Sequence, residues 1–485
     1  MHTLFGERLR RWSADPDAPS AIAMPEAEIG FPELAGRVRA CAARLASEGC
    51  GPAEVVGITI ADEVAHLTVS LALLDLGVPQ VSLPAWDPPA VRTRLAERLD
   101  VGRVVAVDPQ HALPGRALSL ASPAALARAT RDDDRDALSA DPNASAIYFT
   151  SSGTTGEPKI LPISQRQIVG RLASRTREPG ERTLLVSSVE DYPAKIARLG
   201  SVVRGTTSIM QCGRPEPSST AQDLCARFGV TRLEVGVLQA SALARDDAPS
   251  LPAGVNVFVG GSRVSMSLRH AYRRRAGAKL YVLYGAREAS GFTSTYPVDL
   301  DPELETVGPP VPTAELEIVD GEGRQVPRGE VGEIRVKSPF MIHAYHRDPV
   351  ATARHFRDGW FMPGDLVSMT PNGSLRVHGR ADDVMNLNGI KIYPAEIERV
   401  LEDLPAVKSA AAFGLPSALH GEIPVAAVEL QGPRRPDASA LLAHARAQLG
   451  VRAPRKIYVL ESLPRNATGK VVKRELVELV SRRRG

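Results

Sequence analysis

From Glu54 onward two hydrophobic patterns alternate along the chain, and that alternation limits the folds open to it. Val55-Val-Gly-Ile-Thr-Ile60 reads as a buried strand, Val64 to Leu76 as a helix, and Val104-Val-Ala-Val107 as a second strand. Strand, helix and strand in succession imply parallel sheets covered by helices. At 485 residues the chain exceeds one ordinary core, so at least two domains are expected. From Thr313 the texture changes to short strands between Gly and Pro turns, Leu316-Glu-Ile-Val319 and Gly332-Glu-Ile-Arg-Val336, which suggests a small β-rich subdomain. The remainder reads as a compact α+β unit, with helices over Pro394 to Leu404 and Ala438 to Leu449 and strands near Ala410 to Phe413 and Val425 to Leu430. The expected fold class is α/β: a large N-terminal domain (1–379) of parallel-type sheets covered by helices plus the β-rich subdomain, and a smaller α+β C-terminal domain (380–485).

Within the first domain, Tyr148-Phe-Thr-Ser-Ser-Gly-Thr-Thr-Gly-Glu-Pro-Lys159 follows a short apolar run and is then almost wholly glycine or hydroxylated. Gly153 and Gly156 let the backbone turn and approach a ligand closely. Ser151, Ser152, Thr154 and Thr155 offer donors to oxyanions, and Lys159 adds a positive charge. The segment suits phosphate, although its spacing is not that of G-x-x-x-x-G-K-[ST]. Ser164-Gln-Arg-Gln167 then has capping-box spacing, with Ile168 and Leu172 on one helical face, which anchors the loop between a strand and a helix.

Composition excludes several classes. A hydrophobic content of 43% and a charged content of 24% are those of a soluble globular protein, and the longest apolar runs, such as Leu71 to Leu74, are too short to span a bilayer. The segment Met1 to Trp12 is charged without a following apolar core, unlike a secretory signal. Cys41, Cys50, Cys212 and Cys225 lack metal-site or C-x-x-C spacing and read as free thiols in a reducing cytoplasm. With a net charge of +3, the basic run Arg269-His-Ala-Tyr-Arg-Arg-Arg275 and the terminal Arg482 to Arg484 read as solvated faces of helices rather than a nucleic-acid surface.

Four further motifs follow the phosphate loop in order. They are Tyr284-Gly-Ala-Arg-Glu288, Gly359-Trp-Phe-Met-Pro-Gly-Asp-Leu366, the stretch Gly379-Arg-Ala-Asp-Asp-Val-Met-Asn-Leu-Asn-Gly-Ile-Lys-Ile-Tyr-Pro-Ala-Glu-Ile-Glu398, and Leu463-Pro-Arg-Asn-Ala-Thr-Gly-Lys470. Together the five resemble the adenylate-forming superfamily, which includes acyl- and aryl-CoA synthetases, the adenylation domains of nonribosomal peptide synthesis and firefly luciferase.

The resemblance implies roles. Ser151 to Gly156 with Lys159 would cradle the phosphates of ATP. Tyr284, Gly285, Ala286 and Arg287 would line the nucleotide, with Gly260 and Gly261 leaving room for adenine. Asp365 would accept hydrogen bonds from both ribose hydroxyls, Arg380 would pair with ribose or phosphate oxygens, and Glu288 would help hold Mg²⁺. A capping Asp, a buried strand aromatic, a surface Glu and a structural ion pair are the alternative accounts of Asp365, Tyr284, Glu288 and Arg380. Lys470 would touch the substrate carboxylate and the α-phosphate at once, a cation placed where negative charges meet. Asp382 would be the hinge of a mobile C-terminal domain whose loop from Met385 to Lys391, with Asn386, Gly389 and Ile390, guides a pantetheine thiol.

Two departures stand out. Arg287 replaces the family's usual Thr, so it either meets the α-phosphate itself or marks a different pocket. The helix expected to line the acyl pocket begins at Glu190, Asp191 and Lys195, charges that suit a polar substrate or are simply solvated. The implied activity is that of an ATP-dependent acid:thiol ligase, which converts a carboxylic acid to its acyl-AMP with release of pyrophosphate and passes the acyl group to coenzyme A. A carrier-protein phosphopantetheine is the second possible acceptor. A nucleotide-binding homologue without catalysis is the alternative from another class, and Asp365, Asp382 and Lys470 together weigh against it.

Overall fold

The computed structural model describes residues 3–111, 113, 116–119, 141–151, 158–174, 178, 180–210, 218–245, 248–274, 279–293, 306–387, 390–417, 421–433, 435–466 and 469–482. The chain divides into two compact units, residues 1–234 with 339–353, and residues 235–338 with 354–485.

The first unit holds two mainly parallel sheets. One runs in the order Ala117–Ser119, Val101–Ala106, Val55–Thr59, Gln80–Ser82, Ser145–Thr150 and Ile160–Ser164, parallel throughout except for its last pair. In the other, Arg232–Val235, Arg182–Leu185, Thr207–Ile209 and Ile22–Ala23 are parallel neighbours, and Glu28–Ile29 closes the edge antiparallel. Parallel strands must be joined by crossovers, which is why helices cover them. Helix Glu63–Asp75, started by Asp62 accepting from the Ala65 N–H at 2.7 Å, is buried along nearly its whole length, as is Tyr192–Arg204. The expected strand, helix and strand over residues 55–107 are all present, within a few residues at their ends.

The phosphate loop is placed differently from expectation. The short apolar run Ile160-Leu-Pro-Ile163 is itself a strand, pairing antiparallel with Ser145–Thr150 from Thr150 opposite Ile160 to Ser145 opposite Ser164. The loop therefore joins two antiparallel strands, and the helix comes only afterwards. That helix, Gln165–Ala173, starts as its spacing requires. The Ser164 hydroxyl accepts from the Gln167 N–H at 3.2 Å, the Gln167 amide oxygen accepts from the Ser164 N–H at 2.9 Å, and Ile168 and Leu172 are buried.

In the second unit Asn256–Gly260 and Lys279–Leu283 form a parallel pair. An antiparallel sheet follows in the order Phe356–Arg357, Trp360–Phe361, Gly332–Lys337, Asp365–Met369 and Leu375–Arg380, with Glu315–Val319 also on Gly332–Lys337. This is the expected β-rich region. The last part is a five-stranded sheet of Met385–Leu387, Ile390–Ile392, Val407–Ser417, Gly421–Leu430 and Lys456–Leu460 with helices Pro394–Glu402, Ala438–Leu449 and Lys473–Arg482. Alternate residues of its strands enter different cores. Ala410, Ala412, Ala426 and Val428 pack with Ile397, Leu401 and Leu441, whereas Ala411, Phe413, Val425 and Ala427 pack with Leu476 and Val480. A period of two feeding two cores means that helices cover both faces.

The basic run departs from its reading as a solvated face. It lies in helix Met266–Arg274, but Arg269 is buried and donates to the carbonyls of Val264 and Thr306 at 3.3 and 3.0 Å. Buried carbonyls need donors, and this guanidinium supplies two. Cys41, Cys50 and Cys225 are buried free thiols, and no helix among the described residues is long and apolar enough to cross a membrane.

Candidate functional site

Sheet register brings together two residues that the sequence separates. Asp365 begins one strand and Arg380 ends the next, and the hairpin between them sets the two directly opposite each other. Arg380 Nη1 donates to Asp365 Oδ1 at 3.2 Å and also to the Pro363 carbonyl. Gly364, at φ +81°, lies beneath the guanidinium, where an added Cβ would stand 3.1 Å from Nη2. From another element Tyr284 Oη donates to Asp365 Oδ2 at 2.8 Å. Burial, reinforced by the neighbouring Asp365 charge, holds the Tyr284 phenol well above its ordinary range, so it remains a donor. Each Asp365 oxygen has one partner and keeps acceptor capacity for another.

Tyr284 leads into a tight hairpin in which Gly285–Ala286 pairs with Ser290–Gly291. A Cβ at Gly285 would collide with the Ser290 carbonyl, so the close approach of the two backbones demands glycine there. Arg287, half-buried, and Glu288, 9% exposed, stand at the tip, and Phe292 meets the Tyr284 ring edge-on at 5.3 Å. Glu288 is a lone carboxylate at this tip; among the described residues no group of three His, Cys, Asp or Glu side chains could hold a metal. That suits Mg²⁺, which takes one or two carboxylates and completes its shell with water and phosphate oxygens. Gly260 ends its strand with Leu283 Cβ 3.1 Å from where a Cβ would stand, and Gly261, at φ +83°, faces open space.

Of the phosphate loop, Ser152, Gly153, Thr154, Thr155 and Gly156 lie outside the described residues, as does Gly389. The loop's two ends are secured in the first unit. The Ser151 N–H donates to the Lys159 carbonyl at 2.9 Å, Lys159 Nζ lies 5.1 Å from the centre of the Tyr345 ring, and Phe149 meets Tyr192 edge-on at 4.7 Å.

In the same unit, Glu190 and Lys195 are buried rather than solvated; Asp191 is the exposed member of the three. Both Glu190 oxygens accept from the Ala85 N–H, at 3.1 and 3.2 Å, just past the end of strand Gln80–Ser82. Lys195 Nζ donates to Ser82 Oγ at 3.1 Å, and Ser82 Oγ lies 3.4 Å from His66 Nε2. His66 Nδ1 is 3.0 Å from the Ile60 carbonyl, which can only accept, so the proton sits on Nδ1 and Nε2 accepts from the Ser82 hydroxyl. Burial pushes Glu190 up to about 8 and Lys195 down to about 7, and burial aided by the Lys195 charge keeps His66 neutral. Nothing in the sequence pointed to His66 or Ser82, because the network closes only when strand ends and a helix start meet.

The hinge segment carries two adjacent carboxylates with different partners. Asp382 takes Arg354 Nη2 at 3.1 and 3.0 Å, and Asp383 takes Lys473 Nζ at 3.4 Å. Lys473 also reaches Glu398 at 3.3 Å, and the two carboxylates outweigh burial to raise its pKa. The stretch expected as a loop from Met385 to Lys391 contains a hairpin, Met385–Leu387 against Ile390–Ile392. Its alternation buries Met385 and Leu387 and leaves Asn386 and Ile390 exposed. Lys470 is exposed, its N–H donating to Asn466 Oδ1 at 2.9 Å.

Comparison with known proteins places this geometry. Residues 9–346 match the AMP-binding enzyme family and residues 396–470 the AMP-binding enzyme C-terminal domain. The chain belongs to the AMP-binding enzyme family, the adenylate-forming ligases of the acyl-CoA synthetase and adenylation type. It is 30% identical to pyochelin synthase PchD of Pseudomonas aeruginosa over 99% of this chain and 92% of that one. Over 98% of this chain and 93% of the other it is 26% identical to a salicylyl-CoA synthase / salicylate adenylyltransferase of a Streptomyces species. Its fold is shared with ATP-bound MatB of Rhodopseudomonas palustris at a TM-score of 0.88, 23% identity and 99% coverage of both chains.

Proposed function

We propose that this protein activates a carboxylic acid as its acyl-AMP, using ATP with Mg²⁺, and transfers the acyl group to the thiol of coenzyme A. The observation that carries the reading is the carboxylate of Asp365, held between Tyr284 and Arg380 with an acceptor position left on each oxygen. A pair of vicinal ribose hydroxyls needs two such acceptors.

In the first half-reaction an oxygen of the substrate carboxylate forms a bond to the α-phosphorus and the bond from that phosphorus to pyrophosphate breaks. Lys470 offsets the repulsion between carboxylate and phosphate and the charge that develops on the phosphoryl oxygens. Arg287 pairs with the α-phosphate in place of the usual hydroxyl. Mg²⁺, when bound beside Glu288, neutralises the phosphates. In the second half-reaction the thiol adds to the acyl carbon and AMP leaves, with Asn386 and Ile390 beside the pantetheine arm and Asp382 as the pivot between the two steps.

The salicylate-activating relative, similar along almost the whole chain, supports a small aryl acid as substrate. The test is pyrophosphate release from a panel of aryl, aliphatic and amino acids, salicylate included, with and without coenzyme A. Acid-dependent release with acyl-CoA formation is expected. Release that yields thioester only with a phosphopantetheinylated carrier protein would move the acceptor to the carrier, and no acid-dependent release would overturn the reading.

A further inference from the structure

Lys470 has no side-chain anchor of its own, so its position depends on the backbone beneath it. That backbone is a tight turn closed by an antiparallel bridge between Arg465 and Val471. The Asn466 N–H donates to the Lys470 carbonyl at 2.9 Å, the Gly469 N–H donates to the Asn466 carbonyl at 2.9 Å, and Gly469 adopts φ +82°. These contacts shape the turn but do not fix it to the rest of the molecule.

Arg465 does. Its Nη1 donates to the carbonyl of Gly469, the residue directly before Lys470, at 3.0 Å, while Nη2 donates to Ser409 Oγ at 2.9 Å and lies 3.9 Å from Glu429 Oε2. Ser409 and Glu429 belong to strands Val407–Ser417 and Gly421–Leu430 and face each other in register. Glu429 is 6% exposed and also receives Lys408 and the Leu463 N–H, so it is a fixed anchor rather than a mobile surface charge. One planar guanidinium thus bolts the peptide carrying Lys470 onto the two long strands of the C-terminal sheet. A lysine could not do the same, because only the fork of arginine spans the two sites in a set geometry.

We propose that Arg465 is a positioning residue for Lys470: it fixes the Gly469 carbonyl to Ser409 and Glu429, and so decides where the ammonium stands during adenylation. The proposal rests on the reading of Lys470 given above. Displacement of a catalytic group by about 1 Å can cost roughly 100-fold in rate. Arg465→Met is therefore expected to lower kcat for adenylation by about 10- to 100-fold, with KM for the acid within about twofold. Thioester formation from supplied acyl-AMP is expected to be spared.

The deciding experiment is a double-mutant cycle of Arg465→Met and Lys470→Ala, with both half-reactions and Tm measured for each variant. If Arg465 acts through Lys470, Arg465→Met costs nothing further in the Lys470→Ala background. A loss that adds to that of Lys470→Ala, an equal loss in both half-reactions, or unchanged kcat overturns the proposal. Arg465→Lys, which keeps a cation opposite Glu429 but loses the fork, covers the case in which the methionine variant fails to fold. It is expected to show an intermediate kcat at near wild-type Tm, and wild-type kcat in this variant would equally sink the idea. Should Lys470→Ala itself lower both half-reactions alike, the reading of Lys470 falls and the proposal falls with it, an outcome visible in that single variant alone.

Discussion

At the scale of single residues, Arg287 fits the family pattern least. It stands between Tyr284, which touches Asp365, and Glu288 at the same hairpin tip, and that company favours a role toward the nucleotide. Arg287→Ala should remove a charge-assisted contact worth about 1.5 to 3 kcal/mol, a loss of roughly 10- to 150-fold in adenylation. Steady-state kinetics across the acid panel provide the check: a uniform loss places the guanidinium on phosphate, and a loss confined to acids with a second anionic group places it in the acyl pocket. Glu190 carries a second prediction at this scale. Its folded pKa, about 8, lies above its ordinary 4.5 because burial disfavours the charge, with the Ala85 N–H pulling the other way and Asp191 adding to the rise. The folded state therefore holds the proton more tightly between these values, and stability whole below pH 4.5 is lost as pH climbs toward about 8. Lys195, held at about 7, has the opposite sign, its contribution growing from about pH 7 to 10.5. Glu190→Gln removes only the first of these. The Tm advantage of wild type over this variant should shrink steadily from pH 5 to pH 8, and parallel Tm curves would contradict the burial argument. None of this was legible from Glu190 and Lys195 as charges at a helix start, because a charge in sequence looks the same whether water or a strand end receives it.

At the scale of elements, local rules carried far. The Ser164 capping box, the strand Lys279–Leu283 and the helix Ala438–Leu449 all stand where their patterns put them, since caps and hydrophobic periods act over a few residues. The strand Ile160–Ser164 was missed because a four-residue apolar run with an internal proline carries no periodicity of its own, and only pairing with Ser145–Thr150 makes it a strand. Helix ends offer a direct test of packing. Gly205 terminates helix Tyr192–Arg204 at φ +68°, and a Cβ there would overlap the Trp12 indole, whereas Gly229, at φ +56°, faces open space. Gly229→Ala should cost only the left-handed backbone term, about 1 kcal/mol. Gly205→Ala should cost that and a further 1 to 3 kcal/mol or so from overpacking. Denaturant midpoints of the two variants decide, and equal shifts would mean that the Trp12 contact yields freely.

At the scale of the whole molecule, the proposed change of state between half-reactions turns on Asp382 and Asp383, which hold different partners, Arg354 and Lys473. Asp382→Pro fixes φ and should leave pyrophosphate release within about threefold of wild type while thioester formation falls by more than about tenfold. Asp382→Ala, which also loses the Arg354 pair but leaves φ free, is the control, and should complete both steps. Wild-type product formation by the proline variant would show that no rotation about this residue is needed. What the sequence determined by itself was the succession of strands and helices, the five motifs in order, and through them the family, because these depend on local patterns and on short stretches whose chemistry is contiguous. Only the tertiary structure decided that Asp365 faces Arg380 and Tyr284, that Arg269, Glu190 and Lys195 are buried, and that Arg465 braces the turn below Lys470. Each of those depends on register or packing between segments far apart in the chain, where the partner, and not the residue, sets the chemistry.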